Sequence, residues 1–170
     1  MYRTLTDGQK RFAFAWGCKL FQAGLVPFAS MTEAGCPALW VALVQQFEPS
    51  YFVSGVSAND AASLGASLRH NFPAKVREEL FGPALECAGD QNIVVSGLHA
   101  DISSYADAAA LLACGDIAGA LQFAWSVTTM EEPFRSDFAA ARALRESAAL
   151  SRLVEFIVSG RLARCLPAEV

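Results

Sequence analysis

Apolar residues recur every three or four positions along most of the chain, the pattern of helices that bury one face. The pattern is clearest after Thr6 and Gln9, whose spacing matches a capping box at a helix start. The apolar positions that follow are Phe12, Trp16, Leu20 and Ala23. Gly24 and Pro27 are predicted to end this helix, because glycine often terminates a helix and proline cannot continue one.

Proline and glycine divide the rest of the chain into pieces of helical length. We predict helices from Pro37 to before Pro49, from Ser57 or Asn59 to before Pro73, over 74–81, from Pro83 to about Leu98, from Ser104 to about Thr129, and from about Ser136 to Val158. Residues 50–57 are predicted to form a connection or a short extended piece, and Gly160 to follow the last helix.

Composition agrees with this pattern, since the chain has 31 alanines, the residue with the strongest helix propensity. Its two longest β-like runs, 51–53 and 93–95, are short. The predicted fold is therefore all-α, a single-domain helical bundle of six or seven helices. The domain is predicted to span residues 1–160, with 161–170 as a C-terminal tail. A length of 170 residues is enough to bury a sizeable core.

Charge is unevenly distributed along the chain, which carries 17 acidic and 13 basic side chains and a net charge of −4. Residues 1–77 have a net charge of +3 and residues 135–170 a net charge of +2, whereas residues 78–134 carry nine acids and no base. The nine acids are Glu78, Glu79, Glu86, Asp90, Asp101, Asp107, Asp116, Glu131 and Glu132. An acidic chain argues against a general nucleic-acid binder, and a segment of one sign attracts a basic partner.

Two interpretations of this acidic segment remain open. Acids near helix starts, such as Glu86, Asp101 and Asp107, favourably oppose the positive end of the helix dipole. The arginine-rich last helix could also lie beside the acidic segment and neutralise it within the protein. Alternatively, the nine acids form a surface that faces a partner, and they are the candidate partner-binding residues.

Residues for catalysis or metal binding are sparse. Ser96, His99 and Asp101 lie close in sequence, and a helix would place Ser96 and His99 on one face, but no GxSxG motif precedes them. The histidines and cysteines lack metal-ligand spacing, and Gly115 and Gly119 match helix packing better than a phosphate loop. We therefore expect no enzyme activity, catalytic residue, metal or cofactor. A reaction using the carboxylates of Glu86 and Asp116 alone is a third hypothesis.

The predicted compartment is the cytoplasm. Five cysteines without a CxxC pair are more typical of buried small side chains than of a disulfide framework. The N-terminal residues lack the uninterrupted apolar region of a signal peptide. The most apolar long stretch, residues 106–127, contains Asp107 and Asp116, so we expect a buried helix there and no membrane partner.

Short motifs resemble those of one known family. They are residues 12–18 (FAFAWGC), residues 83–87 (PALEC), the long alanine-rich helix that follows, and the helix over 137–157. With these motifs the chain distantly resembles a shortened member of the YjaG-type family, bacterial helical proteins with no assigned function. The resemblance covers about two thirds of the chain, and Gly89 and Gly97 interrupt a helix that is more continuous in the family. It implies an all-α cytosolic fold and no catalytic residues.

The expected function is that of a non-enzymatic, cytosolic protein-binding protein. An acidic helical domain without catalytic groups is typical of a bacterial immunity protein or antitoxin, whose partner would be a basic toxin. The alternative is a small-molecule-binding or regulatory domain, with an apolar pocket between helices lined by Trp40, Trp125 and phenylalanines. A competing interpretation is that Trp16, Trp40 and Trp125 are all residues of the hydrophobic core and line no pocket.

Overall fold

The computed structural model describes residues 4–90, 93–128 and 137–165, and within these ranges the regular structure is entirely helical. The all-α fold class is therefore confirmed. The helices are α1 (Asp7–Gln22), α2 (Val26–Ala29), α3 (Gly35–Val44), α4 (Ala58–Asn71), α5 (Ala74–Gly89), α6 (Leu98–Cys114), α7 (Ile117–Thr128), α8 (Asp137–Glu146), α9 (Ala148–Val158) and α10 (Arg161–Cys165).

The chain forms two compact units. The first unit comprises Met1–Val26 and Ile102–Val170, and the second unit comprises Pro27–Asp101. The chain returns from the second unit to the first between Asp101 and Ile102. This boundary lies inside α6, so the helix contributes residues to both units. A single domain over residues 1–160 stays a prediction.

The first unit has a core built from large side chains set among alanines. Phe12 of α1 and Trp125 of α7 are its largest members, and each is only 1% exposed. The Phe12 ring lies 5.6 Å from that of Phe123 between centroids. The other buried members are Ala110, Leu111, Ala120, Ala124, Ala143, Leu150 and Leu153. Alanine leaves room for neighbouring helices to approach closely, and the large residues then fill the remaining space.

Helices α1 and α7 meet at a pair of glycines. A Cβ added to Gly119 would lie 2.6 Å from the backbone carbon of Gly8, closer than real Cβ atoms approach backbone. Asp116 caps α7 beside this contact, because its Oδ1 accepts a hydrogen bond from the Gly119 N–H at 2.8 Å. The predicted packing role is therefore confirmed for Gly119, whereas Gly115 lies between α6 and α7 with a φ of +64°.

The second unit is organised around α3, the most apolar helix of this unit. Six of its ten residues are buried: Cys36, Ala38, Leu39, Val41, Ala42 and Val44. Helix α4 packs against it through Ala61 and Gly65. Gln46 joins the two helices, since its Nε2 donates to the carbonyl oxygens of Ala42 and Gly65, at 2.9 and 3.3 Å.

Several local predictions are confirmed. The capping box of Thr6 and Gln9 begins α1, and Ser57 caps α4, where its Oγ accepts from the Asp60 N–H at 3.3 Å. Helix α4 ends before Pro73, and Gly160 follows α9 with a φ of +71°. These signals involve neighbouring residues only, so they act whatever the tertiary context.

The prediction that the chain breaks at Gly82–Pro83 is wrong. Pro83 lies inside α5, which runs without interruption from Ala74 to Gly89, and residues 93–97 are not helical. A proline removes one backbone hydrogen bond and costs about 3 kcal/mol in a helix interior. Helix α5 nevertheless continues through Pro83, which is exposed, and it contacts α3 along part of its length.

The two longest predicted helices are each divided. The helix predicted to begin at Ser104 starts earlier, at Leu98, and stops at Cys114, before α7 begins. The helix predicted to span 136–158 is broken at Ser147, whose Oγ accepts from the Leu150 N–H at 3.1 Å and caps α9. Arg161–Cys165 form α10 inside the segment predicted to be a tail. The number of helices therefore exceeds the predicted six or seven.

The glycine contact yields a test of the fold. Gly119→Ala should lower the free energy of unfolding by about 1–3 kcal/mol, because the new methyl group meets backbone that must move. Gly17→Ala is the matched control, since a Cβ at this exposed position of α1 meets nothing within 4 Å. The control should be neutral or more stable by up to about 1 kcal/mol. Urea denaturation measures both, and equal stability of Gly119→Ala and the wild type would contradict the close approach.

Candidate protein-binding surface

The predicted acidic residues fall into two groups with different surroundings. Seven of the nine lie in the described part of the chain, and Glu131 and Glu132 lie outside it. Five belong to the second unit and are exposed: Glu78, Glu79, Glu86, Asp90 and Asp101. Asp107 and Asp116 belong to the first unit, where each is bound to an arginine.

Asp107 is buried within the first unit and is 7% exposed. Its Oδ1 accepts a hydrogen bond from the Trp16 indole N–H at 3.2 Å. Its Oδ2 accepts from Nε and Nη2 of Arg152, at 3.2 and 3.1 Å. The prediction that Asp107 faces a partner is therefore wrong, because both oxygens are used inside the protein. Of the two interpretations of the acidic segment, the one that holds for Asp107 is neutralisation of its charge within the protein, by Arg152.

Burial raises the pKa of the Asp107 carboxyl above its ordinary value of 3.8. The charge and hydrogen bonds of Arg152, and the hydrogen bond from Trp16, act in the opposite direction and do not outweigh the loss of water. Asp107 thus joins α1, α6 and α9 through polar contacts, at an energetic cost for its charged form.

Asp116 has a structural role as the cap of α7. In addition to the bond from Gly119, its Oδ2 lies 3.6 Å from Nη2 of Arg11 on α1. The carboxyl is partly shielded, and Glu86, its partner in the carboxylate hypothesis, belongs to the second unit. Asp116 is therefore already engaged by the fold, which weakens its assignment to a partner surface.

The second unit carries most of the negative charge. It contains eight acidic and three basic side chains, a net charge of −5, whereas the first unit has a net charge of +1. Glu78, Glu79 and Glu86 lie on α5, and all three are exposed. Glu79 has a weak exposed pair with Lys75 at 3.9 Å, which contributes little to stability in water. The field of the second unit therefore favours a positively charged partner.

None of the 16 residues of α5 is buried. Three of its large apolar side chains are exposed: Leu80, Phe81 and Leu85. Phe81 is 54% exposed, and its ring contacts Phe47 edge to face, with centroids 6.3 Å apart. The helix thus presents apolar and acidic side chains together, the combination that forms the centre and rim of many protein interfaces.

An apolar groove lies between α5 and the α3 region of the second unit. Its volume is about 240 Å³. Its lining residues are Trp40, Leu43, Val44, Phe47, Leu80, Pro83, Ala84 and Cys87. A more open hollow of about 390 Å³ lies against Phe81, and is lined also by Phe72, Ala74, Arg77 and Glu78. The groove offers a partner apolar contact but no charged side chain, while the hollow offers both signs of charge.

The predicted pocket between helices is thus found in part. Trp40 lines the groove, and its indole N–H lies 3.4 Å from the Tyr51 hydroxyl, to which it donates. Trp125 does not line it, because this side chain is in the core of the first unit. Sequence reasoning missed the α5 side of the groove, since the spacing of Leu80, Ala84 and Cys87 was interrupted by the predicted break at Pro83.

The catalytic candidates do not assemble as the sequence allowed. Ser96 precedes α6, whereas His99 and Asp101 lie in its first turns, so the helical spacing that would bring Ser96 to His99 does not apply. Across the described residues, no group of three or more His, Cys, Asp and Glu side chains could hold a metal ion. The cysteines described there are free, and burial raises the pKa of the Cys36 thiol.

A second exposed apolar strip lies on α1 in the first unit. Phe14 is 76% exposed, and Phe21 lies two helical turns further on the same side, with Gly17 and Cys18 between them. None of the nine predicted partner residues belongs to α1.

Of the described helices, none has the length and apolar content required to cross a membrane.

Removing the Asp107 carboxyl should destabilise the protein strongly. In Asp107→Ala, Arg152 and the Trp16 N–H lose their partner, so we expect a decrease in the free energy of unfolding of about 3 kcal/mol. Glu86→Ala, a loss of the same charge at an exposed site, should change it by about 0.5 kcal/mol or less. Chemical denaturation measures both variants, and equal effects would show that Asp107 is not held in this network.

The pH dependence of stability should also report on Asp107. An acid whose pKa is higher in the folded than in the unfolded state stabilises the fold fully below the unfolded value, and this contribution is lost as pH rises through the folded pKa. The stability difference between the wild type and Asp107→Asn should therefore become less favourable to the wild type as pH rises from about 4 to 7. Denaturation at several pH values measures this difference, and the opposite slope would contradict the raised pKa.

Comparison with known proteins adds no assignment to this picture. No protein-family model, no curated protein and no solved structure matches the chain. The resemblance to the YjaG-type family therefore stays a prediction that depends on the short motifs named above. Support for a function comes instead from the exposed acids of the second unit and from the apolar groove beside them.

Proposed function

We propose that this chain is a non-enzymatic protein-binding protein whose second unit binds a basic partner. One observation carries the proposal: five acids from the predicted segment are exposed on a unit with a net charge of −5. Charges of one sign on a surface steer an oppositely charged protein into contact and penalise partners of the wrong sign. Glu78, Glu79 and Glu86 on α5 are the central residues of this acidic surface.

The partner class that we propose is a toxin with a basic binding or nucleic-acid-cleaving surface, which would make this chain an immunity protein or antitoxin. Such a role needs a tight and specific contact but no catalytic group. The combination of acidic and apolar side chains on α5 supports it, because apolar contact holds a complex and charge selects the partner. The cytoplasm, where disulfide formation is disfavoured, remains the proposed compartment.

A second function is favoured by the groove itself, which is apolar and partly preformed. A small apolar molecule bound there would make the chain a ligand-binding or regulatory domain. Its volume of about 240 Å³ lies below the roughly 300–1,000 Å³ of most small-molecule sites, so protein binding is the better-supported function.

Charge reversal on α5 tests the proposed function. Tagged wild type and the triple variant Glu78→Lys, Glu79→Lys, Glu86→Lys are used to capture proteins from the native host, and captured proteins are quantified by mass spectrometry. We expect basic proteins to be enriched by the wild type and reduced about tenfold or more with the variant, because the attraction becomes repulsion. Raising the salt concentration should weaken capture by the wild type, since exposed charges are screened.

The matched control is Glu33→Lys, Glu146→Lys, Glu155→Lys, which makes the same change in net charge at exposed positions outside α5. This variant should capture basic proteins nearly as well as the wild type. Equal loss in both triple variants would mean that overall charge, not the α5 surface, governs binding. Unchanged capture by the α5 variant would reject the proposed surface.

A further inference from the structure

The groove beside α5 restricts what can occupy it. Its walls are formed by apolar side chains, among them Trp40 and Phe47 from the α3 region and Leu80 and Ala84 from α5. An occupant must therefore be apolar where it enters, because a buried polar group without a hydrogen-bond partner is strongly unfavourable. The volume of about 240 Å³ is suited to a few side chains rather than to a whole drug-sized molecule.

The edge of the groove is acidic on one side. With about 100° between successive helical residues, Glu79 and Glu86 lie within about 20° of each other on α5. They lie next to Pro83, which lines the groove, and they are separated along the helix by roughly 10 Å. Both carboxylates are exposed. An occupant that extends over this edge meets two negative charges about two helical turns apart.

An anionic amphiphile such as a fatty acid is disfavoured by the same edge. Its carboxylate would lie near Glu79 and Glu86 on a unit whose net charge is −5. On the opposite edge, Arg77 is accompanied by Glu78 in the neighbouring hollow, so positive charge does not dominate there either. Charge complementarity therefore favours an occupant that is apolar on one face and positively charged beside it.

We infer that the α3–α5 groove receives the apolar face of a basic amphipathic helix supplied by a partner protein. This is the helix-in-groove mode of recognition, in which apolar side chains at helical spacing enter a groove and charges at its edge set the orientation. The basic residues of the partner helix are about seven positions apart, matching the spacing of Glu79 and Glu86. This inference rests on the proposed function and names the element of the partner that binds.

Three synthetic helical peptides of 18 residues serve as probes. The first has leucines on one face and lysines beside them, with two lysines seven positions apart. The second has the same lysines but serines in place of leucines, and the third has the same leucines but glutamates in place of lysines. Fluorescence anisotropy measures the Kd of each peptide for the full chain. We expect the Lys/Leu peptide to bind at least about tenfold more tightly than either of the others.

Cys87 provides a site-specific reading of occupancy, because it lines the groove. Mass spectrometry after brief alkylation should show that the Lys/Leu peptide slows modification of Cys87 several-fold. The exposed Cys165 in the first unit is the internal reference and should react at an unchanged rate. Equal reactivity of Cys87 with and without saturating peptide would overturn the placement in the groove.

Two groove variants and two controls complete the test. Ala84→Leu narrows the groove, and Leu80→Ala removes part of its wall, so each should weaken Lys/Leu binding about tenfold while circular dichroism shows an unchanged helical content. Phe14→Ala, which removes an exposed apolar side chain from the first unit, should leave binding unchanged. Glu79→Gln with Glu86→Gln should weaken binding and reduce its dependence on salt.

The outcomes separate this inference from the proposed function. If Lys/Leu and Lys/Ser peptides bind equally and both depend on Glu79 and Glu86, the acidic surface binds but the groove inference is overturned. If neither peptide responds to the glutamate substitutions, the proposed function fails as well. Protection of Cys87 by dodecanoate, without protection by the Lys/Leu peptide, would overturn the helix as occupant and support a small-molecule site.

Discussion

Packing of α5 against α3 along one face is the constraint on which the binding properties of the second unit depend. Helix α3 is apolar nearly all round, and α4 covers part of it. Helix α5 covers another part but buries none of its own residues fully. A helix held in this way leaves apolar side chains at the surface, and here they stand beside acids. A groove and a charged edge therefore arise from the same incomplete packing.

The acidic segment shows that one residue type can serve two opposite purposes. In the first unit, Asp107 is removed from water and must be matched by Arg152 and Trp16, so its charge supports the fold. In the second unit, Glu79 and Glu86 remain in water and interact weakly within the chain, so their charge is available to a partner. Burial, rather than position in the sequence, separates the two roles. A binding surface inferred only from the number of acidic residues would include both the buried and the exposed acids.

Prediction from sequence succeeded where the deciding forces act over a few residues. The caps at Thr6 and Ser57 and the glycine after α9 depend on hydrogen bonds and backbone conformations set by near neighbours. It failed at Pro83, because α5 continues through the proline. It also missed the helix breaks at Gly115 and Ser147, although these residues have the same local features as Gly160 and Ser57, a positive φ after a helix and a side-chain cap. Apolar residues at helical spacing lie on both sides of Pro83, but the local cost of a proline in a helix interior favoured a break there.

The amino-acid sequence by itself determined the all-α class, the starts of helices α1, α4, α5 and α8, the acidic character of the middle of the chain, and Trp40 as a candidate pocket residue. Those properties follow from local propensity, periodicity and the number of charges. Only the tertiary structure decided that Asp107 is buried, that Trp125 belongs to a core, and that a groove opens beside Pro83. Each of these depends on which surfaces meet across many residues of chain, because burial and cavity shape are properties of packed neighbours and have no local signature.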